Sequence, residues 1–328
     1  MPGVSRKKQR CCAWSKPLTS AGYAVTARRW RAQFKARPWW VDMLFLSAMW
    51  GSSFMFTKVV AKDIGPMAAA FGRVFIAFSM LLPLLAWRGH LPVLKQHWRR
   101  VLILGVTNSG IPFAAYCIAM LTVPSSTGAI VNAATPLFGA LIAWIWLKEH
   151  LTLNQMVGLA IGFVGVSFLA LQNATEAPVA ERQAYLIGIL VCIAAPIFYG
   201  ISASYTKLYF SGVPPIVSAT GSQLGATLFL APFAWAYWPD HGLQPGTLAA
   251  LLILGVFCTG LAYILFFRVI ALVGASKALS VTFAVPVFAA FYGVTFLDEA
   301  ITLTMFVCAL VILLGISLST GVFKLFRS

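Results

Sequence analysis

Residues 147–153 read Leu147-Lys148-Glu149-His150-Leu151-Thr152-Leu153, and 150 positions later the chain reads Leu297-Asp298-Glu299-Ala300-Ile301-Thr302-Leu303. Leu, Glu, Thr and Leu recur in register, and the echo extends in both directions. Ile103-Leu104-Gly105-Val106 meets Ile253-Leu254-Gly255-Val256, Gly110 meets Gly260, and Ser126 meets Ser276. Pro136 meets Pro286, Phe138 meets Phe288, and Gly165 and Ser167 meet Gly315 and Ser317. At an offset of 149 the opening segments agree as well: Gly51, Ser53, Thr57 and Lys58 fall on Gly200, Ser202, Thr206 and Lys207, and Trp50 on Tyr199. Pro66 meets Pro215 and Gly72 meets Gly221. Leu- and Ala-rich segments match by chance, but Pro, Gly, Glu and Lys in register do not, so the chain is an internal duplication.

The duplicated unit belongs in a membrane. Of 328 residues 60% are hydrophobic and only 10% charged, against about a quarter charged in soluble domains. This excludes an ordinary soluble enzyme, a disordered chain and a disulfide-knotted secreted domain. A helical span needs about 20 apolar residues, and ten apolar runs can be marked. They are 39–61, 66–87, 101–123, 125–147, 154–172, 184–205, 216–238, 247–270, 276–297 and 302–322. The polar segment 173–183 separates a first repeat (39–172) from a second (184–322), and a short basic tail (323–328) follows. The fold class expected is an all-α polytopic membrane protein of ten transmembrane helices.

Five helices per copy is an odd number, so the second copy crosses the membrane upside down. Two inverted five-helix repeats are the architecture of secondary transporters, whose halves exchange shapes to open a central site alternately to each side. Basic residues set the orientation. With both termini in the cytoplasm, Arg88, Lys95, Arg99, Arg100, Lys148, Lys207, Arg268 and Lys277 lie inside, whereas Asp63, Glu176, Glu181, Asp240, Asp298 and Glu299 lie outside. The net charge of +16 is concentrated before residue 38, where ten of the 24 Lys and Arg residues fall. No zinc-finger spacing accompanies that basic stretch, so it points to topology and anionic lipid rather than nucleic acid. Residues 1–38 are read as a basic solvated tail; a targeting segment or a misassigned start are the alternatives.

Several stretches then carry a family resemblance. Thr135-Pro136-Leu137-Phe138 … Leu147-Lys148-Glu149 … Leu151-Thr152 … Gly158 … Gly165-Val166 resembles the EamA domain of the drug/metabolite transporter superfamily. Val285-Pro286-Val287-Phe288 … Leu297-Asp298-Glu299 … Gly315-Ile316 is similar to the same domain, and Trp50-Gly51-Ser52-Ser53-Phe54 … Lys58 and Gly72-Arg73-Val74-Phe75 agree with its opening. Cys308 stands where the first copy has Gly158, and Ser222 where it has Arg73. The resemblance implies a central cavity between the halves and movement of amino acids, their derivatives or other small metabolites, often outward, with a bacterial inner membrane the favoured host.

Polar groups inside lipid are expensive and face a cavity or a partner helix. Asn108 and Asn132 lead the substrate-binding candidates, since an amide both donates to and accepts from an amino acid's charged ends; the alternative is a bundle-stabilising hydrogen bond. Gln223 and Thr282 are further polar candidates. Trp50, Tyr116, Tyr199 and Tyr263 would form an aromatic wall for apolar side chains, or pack as ordinary membrane aromatics. Arg73, about two turns into its helix, would attract a carboxylate or pair with backbone carbonyls; Lys58 would act there too or snorkel to the surface. Pro136 and Pro286 are hinges or static kinks. Trp39, Trp40, Trp87, Trp98 and Trp238 read as interfacial anchors.

All eight acids lie in loops or at helix ends, so facilitated diffusion or exchange is expected rather than proton coupling. Six scattered cysteines and four histidines at helix ends or in loops offer no metal cluster, and no cofactor is expected. Without an acid–base pair or nucleophile in the spans, enzymatic chemistry is not expected. Drugs, amines and nucleotide sugars are the alternative cargoes. Small-xxx-small patterns would serve a homodimer or intramolecular packing equally.

Overall fold

The computed structural model describes residues 38–176, 178–273 and 281–319. The basic tail before residue 38, the 323–328 tail, and Ser276, Lys277 and Ser280 lie outside the described residues. Hydrocarbon offers no partner for a backbone N–H or C=O, so an apolar chain in lipid closes those bonds within helices. The ten are α1 (Trp39–Ile64), α2 (Pro66–Trp87), α3 (Trp98–Ala119), α4 (Ser125–Leu147), α5 (Leu153–Glu176), α6 (Val179–Tyr209), α7 (Pro215–Ala236), α8 (Pro245–Leu252, Ile253–Leu261 and Ala262–Val273), α9 (Val281–Leu297) and α10 (Leu303–Ser319). The first eight are long and apolar enough to cross a membrane; the described parts of α9 and α10 are shorter. The chain is a multi-pass membrane protein. Prolines open α2, α7 and α8, where a missing N–H costs nothing and the fixed φ suits the first turn.

Two expectations about boundaries shift. Helix α3 begins at Trp98, within the basic stretch, and ends at Ala119 ahead of Pro124, which disfavours helix in the residue before it. Most of segment 173–183, read as a polar linker, is helix: α5 runs to Glu176 and α6 starts at Val179. A short helix, Leu91–Gln96, which the sequence reading did not mark, bridges α2 and α3.

The two halves are interleaved rather than side by side. Helix α1 packs on α9 and its repeat mate α6 on α4; α2 packs on α8 and its mate α7 on α3. Helix α5 closes against α10, and α2 against α7. The buried cores are shared accordingly. Phe54, Tyr116 and Met120 of the first half cluster with Tyr185, Ile189 and Val285 of the second, and Leu137 and Leu169 with Met305, Ile312 and Ile316. Glycine permits the tightest crossings: a Cβ on Gly105 would stand 2.5 Å from Gly225 Cα, and one on Gly51 2.5 Å from Phe288 Cβ. The anchor tryptophans Trp39, Trp40, Trp87, Trp98 and Trp238 are all exposed, as residues facing the lipid–water boundary must be.

Both third helices are deformed at matching places. Val106–Gly110 in α3 and Ile253–Leu261 in α8 are π-helical, and Gly110 and Gly260 are repeat mates. In α3 the cause is local, because Pro112 follows directly and cannot donate to the Asn108 carbonyl. In α8 the Thr259 hydroxyl donates to the Leu254 carbonyl five residues back, at 2.9 Å. π-Turns inside α-helices concentrate at functional sites because they re-aim side chains.

Candidate functional site

The widened turn of α3 turns Asn108 and Ser109 towards the second half. Ser202 of α6 donates to Asn108 Oδ1 at 3.0 Å, and Asn108 Nδ2 donates to the Tyr263 hydroxyl of α8 at 3.1 Å and to Ser109 Oγ at 3.2 Å. Gln223 of α7 donates to the same Ser109 Oγ at 3.0 Å. Four helices from both halves thus meet on Asn108 and Ser109. Gln223 is fully buried, and its Oε1 has no hydrogen-bond partner among the described residues.

The widened turn of α8 holds a cation. Arg73 of α2 is 6% exposed. Its Nε donates to Thr259 Oγ1 at 2.9 Å, and its guanidinium carbon lies 3.8 Å over the Phe113 ring. Among the described residues no carboxylate lies within ion-pair distance of it. Thr259 is the repeat mate of Ser109, so each third helix offers a hydroxyl to a long polar side chain of the opposite half's second helix. Ser222 keeps Arg73's place at the 149 offset, and its neighbour Gln223 supplies the matching hydrogen bond. Ser109 and Phe113 are about one turn apart on α3, so the amide and the guanidinium contact neighbouring turns of that helix.

Next to these lies a second polar group. Tyr116 donates to Asn132 Oδ1 at 2.7 Å. Helix α4 is interrupted at Ala134. Pro136 removes the donor that would close on the Asn132 carbonyl, and the Thr135 hydroxyl takes that place at 2.6 Å. Pro286 sits inside unbroken α9, so the two prolines have different local effects. Aromatic rings surround Tyr116: Phe54 edge-on at 5.3 Å and Tyr199 at 6.5 Å between centroids, with Trp50 5.3 Å from Phe266. Thr282 follows Val281, whose carbonyl accepts from Ser47 at the α1–α9 contact.

The structure therefore brings Asn108, Tyr263 and Gln223 into one network, Tyr116 and Asn132 into another, and lines Tyr199 against the latter. Ser109, Ser202 and Thr259, polar residues of the spans that the sequence offers alongside the leading candidates, join these networks, and the structure adds Phe113 and Phe54. The signal for the hydroxyls is their repetition in otherwise apolar stretches, Ser109 with Thr259 at offset 150 and Ser53 with Ser202 at offset 149; Phe113 carried none.

Two acids lie deeper than their chain positions suggested. Asp42, in the first turn of α1, is wholly buried, with its Oδ2 3.3 Å from Arg268 Nε of α8. Glu299, just past α9, lies 2.6 Å from Lys58 of α1. Lys58 is ion-paired across the halves rather than snorkelling. Glu299 also accepts from the backbone N–H groups of Ser125 (2.7 Å) and Ser126 (3.1 Å) and from both hydroxyls (3.0 and 2.9 Å). Burial alone would raise its pKa, but Lys58 and the two amides outweigh burial and hold it below the ordinary value.

Ten helices in two interleaved inverted halves, joined at a polar centre by residues of both, define a membrane transporter. The chain belongs to the EamA-like transporter family, whose domain it matches twice, over residues 38–171 and 186–321. It is 27% identical over 287 residues to the uncharacterized transporter YoaV of Bacillus subtilis, covering 87% of this chain and 97% of that one. A second Bacillus subtilis protein, the uncharacterized transporter YvbV, is 24% identical over 84% of this chain and 89% of its own. A solved crystal structure shares the fold, with a TM-score of 0.63 at 19% identity over 88% of this chain and 99% of that chain.

Proposed function

We propose that the protein carries small zwitterionic metabolites, amino acids or their close derivatives, by alternating access. The observation that carries this reading is Arg73, a buried cation without a counter-ion among the described residues. A lone charge in a protein interior is costly unless something pairs with it. A substrate carboxylate would do so, and a substrate ammonium would find the unpartnered Gln223 carbonyl about one helical turn away. Asn108, Asn132, Tyr116 and Tyr263 supply the remaining polar contacts, and Trp50, Phe54 and Tyr199 an aromatic flank for an apolar side chain. An isolated cation disfavours cationic drugs and amines, and one deep cation is too few for a nucleotide sugar's diphosphate.

Facilitated diffusion or exchange fits the titratable groups, since both buried acids are ion-paired. Cytoplasmic termini accord with the basic residues at the Lys207 end. Counterflow in proteoliposomes tests the reading: vesicles loaded with one unlabelled amino acid should take up its labelled counterpart. Amines lacking the carboxylate should not exchange. Exchange of amines but not amino acids, or uphill accumulation driven by a pH gradient alone, overturns it.

A further inference from the structure

The ion pair at Glu299 has a repeat mate that is far more exposed. Lys58 and Glu299 correspond to Lys207 and Glu149, and the second pair also forms, at 2.5 Å. Each lysine is on the first helix of one half and each glutamate follows the fourth helix of the other. The side chains of the Lys58–Glu299 pair are 16% and 7% exposed; those of the Lys207–Glu149 pair are 65% and 44% exposed.

The backbone is specialised to present both glutamates. Lys148 and Asp298 are the two non-glycine residues with positive φ among the described residues, at 57° and 53°. This left-handed conformation is strained for side-chain-bearing residues and persists where the surroundings impose it. It ends α4 and α9 alike, and the next amide folds back on the helix: Glu149 N–H reaches the Ala143 carbonyl, and Glu299 N–H the Gly293 carbonyl. Strain repeated at both ends, each time one residue before a glutamate, marks a device rather than an accident of one loop.

At the Lys58 end the glutamate receives the first turn of α4. Ser125 and Ser126 direct two unpaired N–H groups of that helix start, with its positive dipole end, onto the carboxylate. Gly293 makes room, since a Cβ there would lie 2.7 Å from Glu299 Oε2 and 3.2 Å from Ser125 Oγ. Its mate is Ala143, which carries that Cβ. The first turn of α4 belongs to one half and Glu299 to the other, so this contact closes the bundle between the halves at that end.

We infer that Lys58 and Glu299 form an ionic latch that receives the start of α4 to shut one end of the carrier, and that the more exposed Lys207 and Glu149 pair is the corresponding latch of the other end. Lys58 neutralises Glu299 in part and fixes its direction; the α4 start supplies the remaining hydrogen bonds only when the end is closed. Transport then alternates the two dockings. This goes beyond the substrate reading and does not depend on it.

The test is a distance measured without substrate. Spin labels at Leu121→Cys and Ala300→Cys, both exposed and flanking the docked segments, are placed in a variant whose native cysteines are replaced, reconstituted in nanodiscs. Pulsed electron spin resonance should give one short distance in this parent. Glu299→Gln and Lys58→Met should each raise a longer-distance population about tenfold, and the double variant should add little to either. Ser126→Ala, which keeps both charges, should shift it the same way by less. Glu149→Gln should leave the short distance in place. A parent-like distribution in Glu299→Gln, Lys58→Met and Ser126→Ala, or additive effects in the double variant, overturns the latch.

Discussion

The Lys58–Glu299 end and the Lys207–Glu149 end are built from the same sequence twice, yet one ion pair is buried and the other is exposed. Both have the lysine, the glutamate and the strained residue before it. They differ in the small residue behind the glutamate, Gly293 at one end and Ala143 at the other, and in the exposure of the pair. Deeper in the bundle the halves differ again, with a cation on Thr259 and a neutral amide on Ser109. Duplication therefore supplies two matching sets of parts, and divergence at a few positions supplies polarity: one charged site and two unequal ends.

The largest effect should come from the crossing that both halves share. Gly105 meets backbone, with Gly225 Cα 2.5 Å from an added Cβ, whereas its mate Gly255 meets the Ile76 side chain at 2.6 Å. Neither backbone nor the Ile76 Cβ can rotate away, but all three near atoms at Gly105 are backbone, whereas the nearest backbone atom at Gly255, the Arg73 carbonyl oxygen, is 3.2 Å off. Gly105→Ala should cost about 3 kcal/mol and Gly255→Ala about 1 kcal/mol, read as thermal unfolding in detergent. Equal losses would mean that the two crossings are mechanically equivalent.

Next in size is the polar centre. Arg73→Gln should lower amino-acid exchange about 50-fold, since hydrogen bonds to a charged group contribute about 1.5–3 kcal/mol. Gln223→Leu should lower it about fivefold, and chiefly for substrates with a free ammonium. If Arg73→Gln and Gln223→Leu were equally harmful for every substrate, the asymmetry between the halves would have no role in recognition.

Much of this organisation was legible before any coordinates, and for a physical reason. The ten helices follow from hydropathy because lipid leaves a backbone little alternative, and the inversion follows from an odd number of crossings. Asn108, Tyr263 and Gln223 were legible as polar exceptions in apolar runs, though nothing in the sequence joined them. What stayed hidden was depth and pairing. Asp42 and Glu299 sit near helix ends in the chain, and linear position cannot show that a neighbouring helix covers them. The π-turns were hidden too: Pro112 hints at the first, but the second depends on a threonine bonding back along its own helix.

A smaller contrast separates the two prolines. Pro136 follows a break that Thr135 caps, and Pro286 does not interrupt its helix. Pro136→Ala restores a donor for the Asn132 carbonyl and competes with the Thr135 hydroxyl there, so it should change the exchange rate about threefold. Pro286→Ala should change it less. A larger effect from Pro286→Ala would make α9 the moving helix and α4 the fixed one.

The smallest expected effect is a pH dependence that should be absent over a wide range. Glu299 has its pKa lowered against the opposing effect of burial, with Lys58 the charged group facing it and the Ser125 and Ser126 amides completing its shell. A carboxylate with a depressed folded pKa contributes its full stabilisation above the unfolded value, about 4.3, and loses it as pH falls through the folded one. The Leu121–Ala300 spin-label distance should therefore hold from about pH 8 to about pH 5 and lengthen only at more acid values. Lengthening between pH 6 and pH 7 would mean that Glu299 binds a proton there, which would turn the latch into a proton-binding step and tie exchange to the pH gradient.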